Sequence, residues 1–378
     1  MTMATDVRMS LAHSLGFPDS PKDSLAEPYL NYIENCHHDP DTLQEYLELF
    51  SKVVRAFSTN NGPQTTIQAC INDTFAANDA LFEEIKAEGP RREIITDTVL
   101  NILGVWITAR SYFIKSGGYR QVELAFHLRR GSSKNTSALE ETLPGLIRES
   151  GLIPSQDLST TCTTPIPLSS SSNTDIHRLQ YSRLDSLETS SIKATALNAY
   201  TLYSLADTRI SWTFNFSRHL LLTPVGGHYI LEVFALPCAF TGKALFKAGM
   251  PPTLVHEIQT SYSILFDPYG GTSLHARWGK AVGLASWCWC QSCSVNRLKL
   301  SELRLLKERK IAQSKGEFDP LLLKLMSNPE PGNWDHELFV HLWPRIVALD
   351  EHLQSAKPWN FWVLFRDRRD TLQFWTFL

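Results

Sequence analysis

The 378-residue sequence lacks an excess of basic residues, a long apolar run and the common catalytic fingerprints. Its 36 basic and 39 acidic residues give a net charge of −3, which excludes a chain-wide electrostatic footprint for nucleic acid and leaves local patches open. The longest apolar run, Val99 to Ala109, is interrupted by Asn101 and is too short to cross a bilayer, so we expect no membrane partner. No P-loop, dinucleotide-binding, HExxH or GxSxG motif is present, and we expect no cofactor.

The first residues also lack the pattern of an export signal. Met1 to Pro18 carries Asp6, Arg8 and His13 where a signal peptide has an unbroken apolar core. Seven cysteines in a chain without such a signal are typical of free thiols in a reducing compartment. We therefore expect a cytoplasmic protein.

The apolar pattern predicts an α+β fold. Helical spacing dominates residues 1–150, with one long helix expected over Ile94 to Phe113, whereas alternating apolar residues predict a strand over Val122 to Leu128. Residues 151–190 are rich in Ser, Thr and Pro and form either a linker or a surface insertion within one domain. Residues 191–378 combine helices with antiparallel strands, and we expect this half to pack with the N-terminal half as one unit.

Two aromatic runs end the sequence. Residues 359–365 and 371–378 flank a charged turn, Arg366 to Asp370, and this arrangement predicts an antiparallel hairpin. Each aromatic ring hides a large apolar area, whereas exposed termini fray. We therefore expect the C-terminal aromatic hairpin to be buried and to complete the core.

A second predicted hairpin holds the best catalytic candidates. Its strands, residues 211–222 and 228–236, flank a glycine-containing turn. A two-residue or a four-residue turn places His219 opposite Glu232, with Ser217 on the same face. A His–Glu pair removed from water is a usable acid–base unit beside a hydroxyl. The alternative is a structural ion pair, or two groups in water on an edge strand.

Three cysteines form another candidate site. Cys288, Cys290 and Cys293 could supply three zinc ligands, with Cys238 or a histidine as the fourth. The spacing lacks the second cysteine pair of a zinc ribbon, and buried free cysteine is common, so packed thiols are the alternative. Cys238 is also a candidate nucleophile, although we identify no base for it.

Basic residues concentrate between residues 297 and 315. This local excess is suited to phosphate groups, although a charge run is also typical of a solvated helix face. The candidate phosphate contacts are Arg297, Arg304, Lys307, Arg309 and Lys310.

Several segments together resemble one fungal protein family. They are residues 192–203, Trp212-Thr213, Ser217-Arg218-His219, Leu231 to Cys238, Cys288-Trp289-Cys290 and residues 357–378. Over most of the chain beyond the first quarter, the sequence is similar to the fungal arginine-containing cyclodipeptide synthases. The resemblance implies two aminoacyl-tRNA substrates, one of which carries arginine, and a cyclised dipeptide product. The early Gly-x-Ser turn of the bacterial cyclodipeptide synthases is absent, so none of their catalytic residues carries over.

On this resemblance, the expected function is that of an aminoacyltransferase of secondary metabolism. Acyl transfer needs a hydroxyl or thiol to accept the first aminoacyl group and a base to activate the second amine. We assign these roles to Ser217, His219 and Glu232 from their positions in the predicted hairpin and not from the family. The alternative function is that of a non-catalytic binding or regulatory protein of a biosynthetic gene cluster.

Overall fold

Helices form the first part of the chain and confirm the N-terminal helices of the predicted α+β class. The computed structural model describes residues 2–17, 25–58, 64–77, 80–83, 85, 87–130, 137–154, 191–269, 290–313, 319–327 and 332–356. The helices before residue 155 are α1 (Thr2–Ser14), α2 (Glu27–Asn35), α3 (Leu43–Ser58), α4 (Ile67–Ala76), α5 (Glu88–Trp106), α6 (Arg110–Phe113), α7 (Gln121–Arg130) and α8 (Leu143–Glu149).

The long helix predicted over residues 94–113 is two helices, α5 and α6. Between them Thr108 has a left-handed φ of +55°, which is rare for a β-branched residue and ends the helix. Helix α6 then packs directly against Gly104 of α5, where a Cβ atom would lie only 2.8 Å from the Cβ of Phe113. This close approach turns Arg110 and Phe113 towards the same region of the protein.

The strand predicted over residues 122–128 is wrong, because these residues lie in helix α7. Val122 and Phe126 are fully buried one helical turn apart, whereas Leu124 and Leu128 are exposed. Four apolar residues at every second position fit a strand by pattern alone. The surrounding residues are good helix formers, and tertiary packing buries only one helical stripe.

Two small sheets are present in the described part of the chain. Strands β1 (Lys115–Ser116) and β2 (Tyr119–Arg120) form a short antiparallel hairpin. Strands β3 (Thr208–Thr213), β4 (Leu221–Val225) and β5 (His228–Phe234) form the other sheet, in the order β3–β5–β4. Strand β4 is antiparallel to β5, as predicted, but β3 is parallel to it, so the sheet is mixed. The α+β class is confirmed.

The remaining helices of the described residues follow residue 190. They are α9 (Ala199–Ala206), α10 (Ala244–Lys247), α11 (Pro252–Phe266), α12 (Gln291–Gln313), α13 (Pro320–Leu325) and α14 (Trp343–Ser355). The buried apolar side chains before residue 155 and after residue 190 form one continuous cluster. Among the residues described, no helix has the length and hydropathy that a membrane span needs. The predicted C-terminal hairpin and residues 155–190 lie outside the described ranges.

Candidate functional site

The hairpin of the mixed sheet has a different register from the predicted one. Its two-residue turn is Gly226–Gly227, with φ values of +57° and +89°. A turn of this type needs positive φ at both central positions, and glycine adopts it without steric cost. Glu232 therefore lies opposite Leu221, and the predicted pairing of Glu232 with His219 is wrong.

His219 is fully buried, and both of its ring nitrogens have partners. Nδ1 accepts the backbone N–H of Phe234 at 3.1 Å, so Nε2 carries the proton and donates to Ser261 Oγ at 2.7 Å. The Ser261 hydroxyl in turn donates to the carbonyl of Ile258. Burial, and then the charge of Arg345, lower the pKa of His219 to about 3. In this arrangement the ring is neutral and offers no free nitrogen to a substrate.

Acidification is expected to destabilise the fold through His219. The unfolded chain protonates this histidine near pH 6.5, whereas the folded chain keeps it neutral down to about pH 3. The unfolded state binds more protons in this window, so stability falls as the pH falls, by up to about 1.4 kcal/mol per pH unit. Urea denaturation at pH 7 and pH 5 should show a loss about 2 kcal/mol larger in the wild type than in His219→Gln. Equal losses in the two proteins contradict a neutral, buried His219.

Glu232 pairs with an arginine. Arg218 Nε lies 2.5 Å from Glu232 Oε2, and Arg218 Nη2 contacts the other carboxylate oxygen, so the contact is bidentate. The two side chains are 30% and 14% exposed. Thr223 Oγ1 lies 3.5 Å from Glu232 Oε1, at the edge of hydrogen-bonding distance. The geometry is that of the ion-pair alternative, with an arginine where a histidine was expected.

Ser217 lies in a short 3₁₀ turn that follows β3. Its Oγ donates to Asn215 Oδ1 at 2.8 Å, and this same oxygen accepts the Ser217 N–H at 3.0 Å. Leu220 has a strained φ of +59°, and its N–H donates to the carbonyl of Glu232 at 2.8 Å. The structure thus gives Ser217, His219 and Glu232 three different side-chain partners and does not join them to one another.

A His–Glu pair with a buried carboxylate does occur, between His341 and Glu257. Glu257 is only 2% exposed, and its carboxylate accepts the backbone N–H groups of His341 at 3.0 Å and Leu342 at 2.8 Å. The carboxylate also lies 2.7 Å from Nδ1 of His341. This pair was not predicted from the sequence. The available indication was that Glu257 lies beside the buried Leu254 and Ile258 on the apolar face of α11. Glu257 anchors the turn that leads into α14.

The cysteine cluster is described only in part. Cys290 precedes α12, and the N–H of Cys293 lies 3.4 Å from Cys290 Sγ. Because Cys288 lies outside the described ranges, the zinc hypothesis stays a prediction. No group of three or more His, Cys, Asp or Glu residues is placed to hold a metal ion in the part of the chain that is described. Cys238 is buried, and its N–H donates to Asp319 Oδ2 at 2.9 Å.

The basic segment lies on helix α12. Arg297 and Lys307 are exposed, and Arg304 forms an exposed ion pair with Glu308 at 2.7 Å. These positions are solvated, and their contact with phosphate stays a prediction. The side chains of Arg309 and Lys310 lie outside the described residues.

A cavity of about 470 Å³ lies between α3, α5, α6 and the β1–β2 hairpin. This volume suits a small organic molecule, and the lining combines apolar with polar side chains. The apolar part consists of Leu81, Phe82, Ile85, Ile94, Phe113 and Ile114. The polar part includes Tyr46, Asp97, Asn101, Arg110, Lys115 and Arg120.

Arg110 is the cation in this lining that no carboxylate neutralises among the described residues. Its Nε donates to Asn101 Oδ1 at 3.1 Å, and the side chain is partly buried. The thiol of Cys36 is a further neighbour: burial raises the pKa of this thiol, and the charge of Arg110 opposes the rise. Arg110 therefore presents a positive charge to the cavity with neutral groups beside it.

Tyr46 is the second unusual group in the lining. The residue is 1% exposed, and its ring stacks on His37 with 4.4 Å between the ring centroids. Its buried hydroxyl has no hydrogen-bond partner within the part of the molecule that is described. An unsatisfied buried hydroxyl costs about 1–3 kcal/mol, so a ligand or a water that bonds it is favoured.

The other two cations of the lining, Lys115 and Arg120, are already paired. Arg120 is 7% exposed and contacts both Asp97 and Glu123, the latter at 2.9 Å. Lys115 lies 3.3 Å from Asp97 and 2.7 Å from the exposed Glu93. Among the residues that the structure describes, the lining thus has one cation without a carboxylate partner, Arg110, and one loosely paired cation on the hairpin, Lys115.

Sequence reasoning did not single out this cavity. The available signal was that Asp97 and Asn101 lie one turn apart in a helix whose second half is mostly apolar. The helix break at Thr108, which directs Arg110 into the cavity, depends on tertiary packing and leaves no simple mark in the sequence.

Comparisons with known proteins do not assign a function to this arrangement. No protein-family model, curated protein or solved structure matches the chain. The resemblance to cyclodipeptide synthases therefore stays a prediction, and the proposals that follow depend on the residues themselves.

Proposed function

We propose that the cavity binds a small molecule with an apolar body and an acidic head group, and that the head group pairs with Arg110. The observation that carries this proposal is the charge of Arg110, which is partly buried and has no carboxylate partner among the described residues. Removing a cation from water is costly unless an anion or several hydrogen bonds compensate it. The planar guanidinium matches a carboxylate or phosphate group in charge and geometry.

The Tyr46 hydroxyl supports the same orientation of the ligand. Burial raises the pKa of Tyr46, so the phenol stays protonated at neutral pH. A protonated phenol donates a hydrogen bond to an acidic oxygen. Arg110 and Tyr46 both line the cavity. One acidic head group can therefore satisfy both residues.

The apolar lining supports an apolar body. Phe82 and Phe113 are buried, and Ile94 and Ile114 are large apolar side chains that keep substantial exposure. Covering such surface contributes about 0.8 kcal/mol for each buried CH₂ group of a ligand. Affinity is therefore expected to rise with the length of the ligand's hydrocarbon part until the cavity is filled.

Calorimetric titration with straight-chain acids, butanoate to decanoate, and with their amides tests the proposal. We expect the best acid to bind about tenfold more tightly than its amide, because a charge-assisted hydrogen bond contributes about 1.5–3 kcal/mol. The matched alkylamine should not bind, since its charge repels Arg110. Equal affinity of acid and amide, or no binding by any acid in the series, contradicts the proposal.

Aminoacyl transfer is a second candidate function, favoured by one feature of the fold. Arg297 and Lys307 are exposed on α12, where they are accessible to the phosphates of a transfer RNA. A cytoplasmic location, where charged transfer RNA is available, belongs to this hypothesis. Extracts of a host that expresses the protein can be searched for new arginine-containing cyclic dipeptides. Their absence beside soluble protein counts against aminoacyl transfer and leaves the cavity proposal unaffected.

A further inference from the structure

We infer that the ligand of the cavity carries two acidic groups, and that Lys115 binds the second one. This inference depends on the proposed function, because it takes the first acidic group to be held by Arg110. It adds the chemical class of the ligand, a diacid whose two head groups are joined by an apolar spacer. Three arginine or lysine side chains of the described residues line the cavity, Arg110, Lys115 and Arg120.

Lys115 is the cation whose present partners are easiest to replace. Its ammonium lies 2.7 Å from Glu93 Oε1 and 3.3 Å from Asp97 Oδ2. The side chains of Glu93 and Asp97 are 67% and 44% exposed, and that of Lys115 is 34% exposed. Ion pairs this open to water contribute little to stability, and hydration compensates a carboxylate that is released. A ligand acid at the mouth of the cavity can therefore take the place of Glu93.

Arg120 allows a ligand acid to replace the partners of Lys115, although Arg120 does not itself bind the ligand. Its side chain is 7% exposed and is held by Asp97 and Glu123. If Lys115 turns to a ligand, Asp97 keeps Arg120 as a partner and is not left as an unpaired charge. Arg120 itself stays committed, because its side chain is 7% exposed and replacing its partners would leave Glu123 without a cation.

The chain between Arg110 and Lys115 supplies the apolar spacer region. Helix α6 ends at Phe113, and Ile114 follows before β1 begins at Lys115. Phe113 and Ile114 line the cavity together with Arg110 and Lys115. A diacid with a hydrocarbon spacer matches a lining that offers two cations and apolar surface.

Calorimetric titration with the diacids butanedioate to decanedioate, each compared with the monoacid of the same chain length, tests the inference. The proteins are wild type, Lys115→Gln and the control Lys324→Gln, which removes an exposed lysine of α13. We expect the best diacid to bind wild type about fivefold more tightly than its monoacid, the upper range for an exposed ion pair. Lys115→Gln should remove this difference and leave monoacid affinity within about twofold, and Lys324→Gln should change neither.

The outcomes separate this inference from the proposal on which it rests. If monoacids bind and no diacid gains affinity, or if Lys115→Gln weakens both series equally, the diacid inference is overturned and the Arg110 proposal stands. If neither series binds to wild type, both are overturned. Denaturation curves of Lys115→Gln that superimpose on those of wild type show that any lost affinity comes from the site.

Discussion

Glu257→Ala is expected to lower the free energy of unfolding by about 4 kcal/mol, near the upper end for a single substitution. The carboxylate is 2% exposed, accepts two backbone N–H groups and lies 2.7 Å from Nδ1 of His341. Removing it leaves buried donors without an acceptor, and each such donor costs about 1–3 kcal/mol. Denaturant unfolding at pH 7 measures the loss.

Glu257→Gln separates this explanation from simple loss of packing. Glutamine keeps the shape and one acceptor oxygen, so we expect about half of the loss seen with alanine. The matched control is Glu337→Ala, which removes an exposed glutamate before α14 and should change stability by less than about 0.5 kcal/mol. If Glu257→Ala and Glu337→Ala have equal effects, Glu257 does not anchor this turn.

Arg110→Gln is expected to weaken binding of the best monoacid by about 10- to 100-fold, which corresponds to the loss of one charge-assisted contact. Glutamine can still contact Asn101, so the local structure should persist while the charge is lost. Binding of the matched amide should change little, because the amide does not use the charge. Titration of acid and amide with the variant measures both effects.

Two variants serve as controls for Arg110. Arg209→Gln removes an exposed arginine of β3 and should leave acid binding unchanged. Arg110→Lys keeps the positive charge but lacks the planar guanidinium with its paired N–H donors, so it should bind the acid with intermediate affinity. If Arg110→Gln binds the acid as tightly as wild type does, the head group lies elsewhere in the cavity.

The turn residues show how far the sequence predicts the β-structure. The run around Gly226–Gly227 indicates a hairpin, and the hairpin exists. Its register depends on which two residues occupy the turn, and a shift of two positions keeps the same face while changing every cross-strand partner. Ser217 and His219 also leave the strand altogether, because the Asn215 side chain bonds the backbone locally and starts a 3₁₀ turn.

The predicted pairing of His219 with Glu232 is wrong for a related reason. Residue types in a predicted strand indicate that Glu232 needs a partner, and the structure supplies one. The pattern cannot distinguish between His219 and the adjacent Arg218, since the choice depends on how the chain bends after β3. The Glu257–His341 pair joins residues 84 positions apart, and no local pattern connects them.

The cavity could not be predicted from the sequence, because the helix that leads into it was predicted without its break at Thr108. A single helix through residue 113 places Arg110 on a continuous surface, whereas the break at Thr108 directs it into the cavity beside Asn101. That break depends on packing against Gly104, which tertiary contacts decide. The sequence shows that Asp97 and Asn101 are polar, but it does not show which residues they contact.

A crystal structure of the protein with the acid that binds most tightly tests the central claim most directly. We expect both acidic oxygens to lie within about 3 Å of the Arg110 guanidinium or the Tyr46 hydroxyl, with the hydrocarbon part against Phe113. An acid group that points into solvent, with Arg110 bonded only to Asn101, would contradict it.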